Sequence, residues 1–159
     1  MDLSQLSGAK KALLAEYRKA LDELISVISP LTTDELIRII DSNSDDPDAK
    51  SVQAILSHVY TSVYSYSVYI EKGIGINTIR PQREIFDDVQ SYIQKLNQGF
   101  EYCEQIITNH PQIILEQTEP SKKINTTWGQ QYDVEQLMEH AIVHILRHRR
   151  QIENIIRNN

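Results

Sequence analysis

Histidines at helical spacing are the residues of this chain whose type and pattern could support chemistry. Three of the five lie four residues apart, as His140, His144 and His148. Side chains four residues apart lie one turn apart on the same face of a helix, so two of these imidazoles can bind one metal ion about 2 Å away. A third ligand has to come from another element. His58 is the candidate, because it lies in a stretch without Asp, Glu, Lys or Arg, residues 51–70.

The apolar stripe of the last predicted helix, residues 133–156, indicates which of these imidazoles face inward. At about 100° per residue, His148 falls inside the stripe and His144 lies at its edge. His140 is rotated roughly another 40° outward, so we expect it to be a neighbour of the site and not a ligand. The residues that define this stripe are Val134, Leu137, Met138, Ala141, Ile145, Ile152, Ile155 and Ile156.

His58 projects just off the apolar stripe of the helix predicted for residues 48–72. Three serines on the same side, Ser51, Ser62 and Ser65, would leave space around the ring. Three neutral imidazoles from two helices would hold a divalent metal ion, Zn²⁺ or Ni²⁺ by ligand type, and leave one coordination position open for water or substrate. The pattern therefore predicts a metal-dependent enzyme that catalyses either group transfer or hydrolysis.

A second interpretation of the same histidines is a non-catalytic one. A lone His on an apolar face is usually a core residue hydrogen-bonded to a neighbour, and pairs four residues apart also arise by chance on polar helix faces. The protein would then be a bundle that binds a small molecule or a protein partner. No carboxylate stands out as a general base, since Glu139 points away from the stripe, whereas Gln151 could orient a ligand by hydrogen bonding.

Long amphipathic helices are the elements that would position these side chains. Hydrophobic spacing predicts four of them and a shorter piece of helix that begins with a capping box formed by Thr32 and Glu35. No convincing strand is present, and residues 111–132 are the least periodic segment. We expect one all-α domain over residues 1–159, a four-helix bundle. The predicted helices span residues 13–28, 33–40, 48–72, from after Pro81 to 108, and 133–156, with a break at residues 41–47.

Composition and charge exclude several classes of function. The net charge of −6 argues against a nucleic-acid binder, because neutralising phosphates requires a basic surface. Residues 51–70 are long enough to span a bilayer but carry too many Ser and Tyr, so we expect a buried helix and no membrane contact. The single Cys103 cannot form an internal disulfide, and no secretory signal is apparent, which indicates a cytoplasmic protein.

Four other side chains lead to less specific expectations. Tyr60 and Tyr64 project away from the main stripe, so they are either packing residues or part of an uncovered face. From that face we predict a homodimer with two-fold symmetry. Trp128 could cap the end of the bundle or form a wall of the site. Cys103 projects inward and is expected to be a small core residue.

Two sequence motifs resemble those of the DinB-like superfamily, a group of bacterial four-helix-bundle metalloenzymes. They are Ser51-Val-Gln-Ala-Ile-Leu-Ser-His58 and the run His140-Ala-Ile-Val-His144-Ile-Leu-Arg-His148-Arg-Arg-Gln151. The resemblance covers most of the chain, and its most specific part is the second motif. Many members have Arg-Gly-Gln after the last histidine, where this chain has Arg149-Arg150-Gln151. Arg150 projects to solvent, so we expect that change to leave the site intact.

The resemblance implies a fold, a ligand set and a class of reaction. The family's metal ligands correspond to His58, His144 and His148, which are also the residues selected by the helical projection. The implied helix order is up-down-down-up, and family members are frequently homodimers. Relatives include thiol S-transferases that use bacillithiol and the mycothiol-dependent maleylpyruvate isomerase. We therefore expect a small-molecule substrate and favour transfer of a low-molecular-weight thiol over hydrolysis.

Overall fold

The computed structural model of the protein describes residues 4–40 and 45–158, and long helices dominate these residues. The predicted all-α four-helix bundle is confirmed, with one short helix and one small hairpin added to it. Two 3-10 turns, Pro47–Ala49 and Pro120–Lys122, lie in the connections. The elements are α1 (Gly8–Ile28), α2 (Thr33–Ile37), α3 (Val52–Gly73), α4 (Val89–Asn109), β1 (Ile124–Asn125), β2 (Gln131–Tyr132) and α5 (Val134–Arg157).

Each long helix begins after a polar residue that accepts a hydrogen bond from a backbone N–H of the first turn. These caps are Ser7, Ser51, Asp88 and Asp133. Such side chains satisfy donors that have no partner within the helix, which fixes where the helix starts. Asp133 forms the expected capping box with Gln136.

Helix boundaries differ from the prediction in four places. α1 starts at Gly8 and not at residue 13. α3 starts at Val52 and not at residue 48, because Ser51 caps it and the chain before Ser51 folds into a 3-10 turn. α4 starts at Val89, so Phe86, which was expected on that helix, lies in the connection before it. The capping box of Thr32 is present, but α2 ends at Ile37 and not at residue 40. Residues 41–44 of the predicted break lie outside the described residues.

The long helices form a ring in the order α1, α5, α3, α4. Two antiparallel pairs follow from individual contacts. His58 of α3 lies beside His144 and His148 of α5, while Tyr66, further along α3, lies beside His140, earlier in α5. Arg18 of α1 donates to Asn97 of α4, and Lys10, earlier in α1, donates to the Pro111 carbonyl beyond the end of α4.

The other two neighbouring pairs run parallel. Tyr60 and Tyr64 of α3 face Tyr92 and Tyr102 of α4 in the same order along the chain. Glu23 of α1 pairs with Arg149 of α5, and Leu31, just past α1, lies near Ile155. The helices therefore run up, down, down and up, which confirms the predicted topology. Helices consecutive in sequence, α1 and α3 or α4 and α5, lie diagonally across the bundle and need long connections.

The connection between α3 and α4, residues 74–88, decides between the two roles considered for Tyr60, in favour of packing. It lies over α3, and the Tyr60 hydroxyl donates to the Glu84 carbonyl at 3.0 Å, leaving Tyr60 2% exposed. Ser57 donates to the same carbonyl at 2.7 Å. Tyr64 packs against Gly99 of α4. The chain itself therefore covers the face proposed for a dimer at Tyr60, while Tyr64 is half-buried. Helical periodicity does not indicate where a connection will lie, so the sequence could not show this.

The segment before α5 contains an antiparallel pairing that the sequence analysis did not predict. β1 pairs with β2, Ile124 opposite Tyr132 and Asn125 opposite Gln131. The turn between the strands carries Trp128 and ends at Gly129, whose φ of +84° favours glycine. Strands of two residues are too short to produce an alternating hydrophobic pattern, so periodicity could not reveal them.

The inner faces of the helices form the core as the spacing predicts. Cys103 is 1% exposed, and burial raises the pKa of its thiol to about 12, as expected for an inert core cysteine. Buried serines of α3 donate to carbonyls one turn earlier, as Ser67 does to Val63. Among the described residues, no helix is long and apolar enough to cross a membrane.

Candidate metal centre

The three histidines selected from the sequence lie together at the interface of α3 and α5. One nitrogen of each of His58, His144 and His148 lies within 4.8 Å of the corresponding nitrogens of the other two. The Nε2 atoms of His58 and His144 are 2.9 Å apart. The ring centroids of His144 and His148 are 4.4 Å apart, as expected for residues one turn apart on one helix.

These distances fit a single divalent ion. With Zn–N bonds of about 2.0–2.1 Å in a tetrahedral arrangement, two ligand nitrogens lie roughly 3.3 Å apart. The observed separation of 2.9 Å between His58 and His144 would have to widen by a few tenths of an ångström. The donor set also fits, because neutral imidazole nitrogens are ordinary ligands of Zn²⁺ and Ni²⁺.

In two of the three rings, the Nδ1 atom contacts a hydrogen-bond acceptor outside the cluster. Nδ1 of His58 lies 3.1 Å from a carboxylate oxygen of Asp48, and Asp48 is itself paired with Arg83. Nδ1 of His148 donates to Oε1 of Gln151 at 2.9 Å. A proton on Nδ1 leaves Nε2 with a free lone pair, so these partners select the tautomer that a metal ion requires.

His144 differs from the other two histidines. Its Nδ1 atom is buried and has no hydrogen-bond partner. Since His58 uses Nδ1 as a donor to Asp48, the contact between the two Nε2 atoms is a hydrogen bond in which His144 donates. This arrangement leaves the Nδ1 lone pair of His144 unpaired, so the buried cluster contains one unsatisfied polar atom.

Burial keeps all three imidazoles neutral at neutral pH. Loss of solvent lowers the pKa of His58 and of His148, and it is the largest cause for each. For His144, burial together with the neighbouring histidines lowers the pKa to about 3. A neutral imidazole can bind a metal ion and a protonated one cannot, so all three rings have the charge that metal binding requires without a change of pH, and only His144 would have to move its proton from Nε2 to Nδ1.

His140 lies outside this group of three. Its ring stacks on Trp128 with centroids 5.7 Å apart, and its Nδ1 lies 3.1 Å from the Tyr132 hydroxyl. The Trp128 ring also meets the edges of Tyr66 and Tyr69. Of the two roles considered for Trp128, the structure thus places it beside the site, at the tip of the hairpin, and not at the end of the bundle core.

A cavity of about 390 Å³ opens onto His58 and His144 of the cluster and onto His140. That volume lies within the range of small-molecule sites, about 300–1,000 Å³. One side is aromatic and includes Tyr66 and Trp128, and another carries the hydroxyl groups of α3, Ser62 among them. Arg80 and Arg83 complete the polar side. Ser62 and Trp128 therefore border the cavity as the sequence analysis expected.

Sequence reasoning missed Asp48 and both arginines. With a helix from residue 48, Asp48 would lie ten residues or about 15 Å along the axis from His58, too far to contact it. The 3-10 turn at Pro47–Ala49 instead brings the carboxylate back to the ring. The detectable signal was Ser51, a favoured N-cap residue whose position moves the helix start to Val52.

The chain was compared with known protein families and proteins. A family model described as the DinB family matches residues 6–159, nearly the whole chain. No curated protein and no solved structure matches it. The matched residues include every helix that carries one of the clustered histidines.

Proposed function

The chain belongs to the DinB family, and from that membership and the histidine cluster we propose that it is a metal-dependent enzyme. His58, His144 and His148 would hold one divalent ion, Zn²⁺ or Ni²⁺. The observation that supports this most directly is the convergence of three neutral imidazoles from two helices beside a cavity. Two of these rings also have the outer hydrogen-bond partners typical of metal-binding histidines.

The number of ligands favours a catalytic over a structural role. Structural zinc sites usually have four protein ligands, whereas catalytic sites have three and an open position. Within the described residues, the cluster of possible His, Cys, Asp and Glu ligands contains three members. When bound, the ion would supply Lewis-acid activation of a thiol or of water that enters the cavity.

We favour thiol transfer because of the groups that surround the cavity. In such a reaction the sulfur of a small thiol bonds to an electrophilic carbon, a leaving group departs with its electron pair, and the thiol proton goes to solvent. Hydrolysis is best served by a general base. The described residues that line the cavity include no Asp or Glu, and the lining imidazole outside the cluster, His140, contacts the Tyr132 hydroxyl through Nδ1 and stacks on Trp128. Asp48 is engaged by His58 and Arg83. Burial raises the pKa of Tyr66, so its hydroxyl stays protonated and can donate a hydrogen bond to a substrate.

One observation favours the non-catalytic alternative. The 2.9 Å contact between His58 and His144 is an ordinary hydrogen-bond distance and needs no metal ion to explain it. The histidines would then be a structural cluster that joins α3 to α5. The unpaired Nδ1 of His144 does not separate the two interpretations, because it has no partner whether Nε2 donates to His58 or binds a metal ion.

Metal analysis separates the two functions. The protein, purified without a histidine tag, is expected to contain about one metal ion per chain by elemental analysis. His144→Ala and His148→Ala should lose it, while His140→Ala should keep most of it. An absence of metal in the wild type, with no binding of added Zn²⁺ or Ni²⁺, would favour the non-catalytic bundle.

Activity can be measured with defined thiols and a defined electrophile. Bacillithiol, cysteine and glutathione would each be combined with 1-chloro-2,4-dinitrobenzene, and formation of the thioether would be followed by absorbance. Metal-loaded wild type is expected to accelerate the reaction with at least one thiol, and His148→Ala is not. Equal rates for the two proteins with every thiol would contradict thiol transfer.

Assembly and location are also proposals. We propose a homodimer, on family membership alone, since the connection covers Tyr60 on the face first considered for the dimer. Light scattering that gave the mass of one chain at micromolar concentration would contradict it. The reduced, buried Cys103 supports a cytoplasmic location.

A further inference from the structure

Arg80 is a cation in the cavity wall whose charge is not matched by a neighbouring carboxylate. It lies in the connection between α3 and α4, and one guanidinium nitrogen donates to the Ser65 hydroxyl at 3.1 Å. Among the described residues, no Asp or Glu lies within ion-pair distance of it. Most of its five N–H donors therefore remain available to a molecule in the cavity.

Arg83, three residues later, lies in the same cavity wall but has a structural role. Its guanidinium pairs with Asp48, donates to the Ala54 carbonyl at 3.0 Å and donates to the Ser57 hydroxyl at 3.2 Å. All three of its nitrogens have partners, and its charge is balanced by a carboxylate. Arg83 thus holds the connection against α3 and stabilises Asp48, while Arg80 makes a single hydrogen bond to α3, through Ser65, and pairs with no carboxylate among the described residues.

The position of Arg80 relative to the histidines sets the length of a ligand that contacts both. Its partner Ser65 lies seven residues after His58 on α3, which is about 10 Å along the helix axis. Tyr66 and Trp128 border the same cavity. A bound molecule would therefore have one end near Arg80, a middle section against aromatic rings, and a second end at the histidines.

We infer that Arg80 determines substrate specificity by binding the anionic group of an elongated small organic anion. The carboxylate or phosphate group of that molecule pairs with the guanidinium, and its other end reaches the histidine cluster. Arginine suits this task because its planar donors match two oxygens of a carboxylate or phosphate at once. The assignment of the other end as the reacting end rests on the proposed enzymatic function, but the anion site itself does not.

Binding of simple anions tests the inference without requiring any reaction. Glutarate and inorganic phosphate would be titrated by calorimetry into wild-type protein, both after EDTA treatment and after loading with zinc. Glutaramide, the uncharged analogue of glutarate, is the control ligand. Arg80→Gln removes the charge, Arg80→Lys keeps it without the planar fork, and Arg38→Gln makes the same change outside the cavity wall. Far-ultraviolet circular dichroism checks that each variant is folded.

The EDTA-treated wild type is expected to bind at least one of the two anions and not glutaramide. Loss of a charged hydrogen bond should weaken that binding about tenfold or more in Arg80→Gln, less in Arg80→Lys, and not in Arg38→Gln. The preferred anion identifies the charged group as carboxylate or phosphate. Equal binding by wild type and Arg80→Gln, or no anion binding by wild type at millimolar concentration, would overturn the inference. Anion binding is measured on EDTA-treated protein and so does not depend on zinc. Failure to retain zinc would therefore contradict the proposed metal-dependent function and not the anion site at Arg80.

Discussion

Lowering the pH should destabilise the metal-free protein through its histidine cluster. Burial lowers the pKa of His144 from 6.5 to about 3, and it lowers the pKa values of His58 and His148 in the same direction. Below the unfolded-state pKa, the unfolded chain binds protons that the folded cluster excludes. The stabilisation is therefore fully present above about pH 6.5 and is lost progressively as the pH falls below it.

The size of the effect follows from His144 alone. At pH 5, an unfolded imidazole with a pKa of 6.5 is mostly protonated, while the folded one, with a pKa of about 3, is neutral. At 1.36 kcal/mol per pH unit, this difference costs about 2 kcal/mol of the free energy of unfolding. For a chain of this size, that corresponds to a fall in Tm of roughly 4–8 °C.

Urea denaturation of EDTA-treated protein at about pH 7.5 and about pH 5 measures this effect. His144→Leu removes the titrating group, so the change in unfolding free energy between the two pH values should shrink by about 2 kcal/mol. Val143→Ala, at a neighbouring exposed position with no titratable group, is the matched control and should keep the full pH dependence. A His144→Leu protein with the pH dependence of the wild type would refute the reasoning.

Two further predictions concern the orientation of a ligand and the packing of the helices. Gln151→Leu removes the acceptor for Nδ1 of His148, so zinc affinity, measured by competition with a chelator, should fall about 10–100-fold; unchanged affinity would show that the amide does not orient the ring. Gly99→Ala places a methyl group 2.7 Å from Val63, so it should lower the free energy of unfolding by about 1 kcal/mol in spite of the higher helix propensity of Ala. No atom lies within 4 Å of a methyl group placed at Gly8, so Gly8→Ala should not lower the free energy of unfolding. Equal effects of the two substitutions on that free energy would contradict the close approach of α3 and α4.

The sequence was sufficient to predict features that depend on helical periodicity. The inward direction of His144 and His148, the buried Cys103 and the cap at Asp133 all follow from positions within one helix. The hydrogen bond from His148 to Gln151 joins residues three apart and was therefore also accessible. Such contacts need no knowledge of how the helices pack.

Features that depend on the connections could not be predicted in the same way. Tyr60 was assigned to an uncovered face because nothing in its helix indicates that the Glu84 carbonyl lies above it. Asp48 and Arg80 reach the site from turns whose path is determined by tertiary contacts. Trp128 had two open roles until the hairpin placed it against His140. In each case the deciding contact joins segments that no repeating pattern connects.

The ring order of the helices has a bearing on biosynthesis. α5 lies between α1 and α3, and it supplies two of the three clustered histidines from a helix that is synthesised after both of its neighbours. A nascent chain that lacks α5 leaves both neighbouring faces uncovered and offers His58 alone to a metal ion. If the cluster binds an ion as proposed, binding would therefore require α5 to have packed between α1 and α3, so metal uptake would report completion of the bundle.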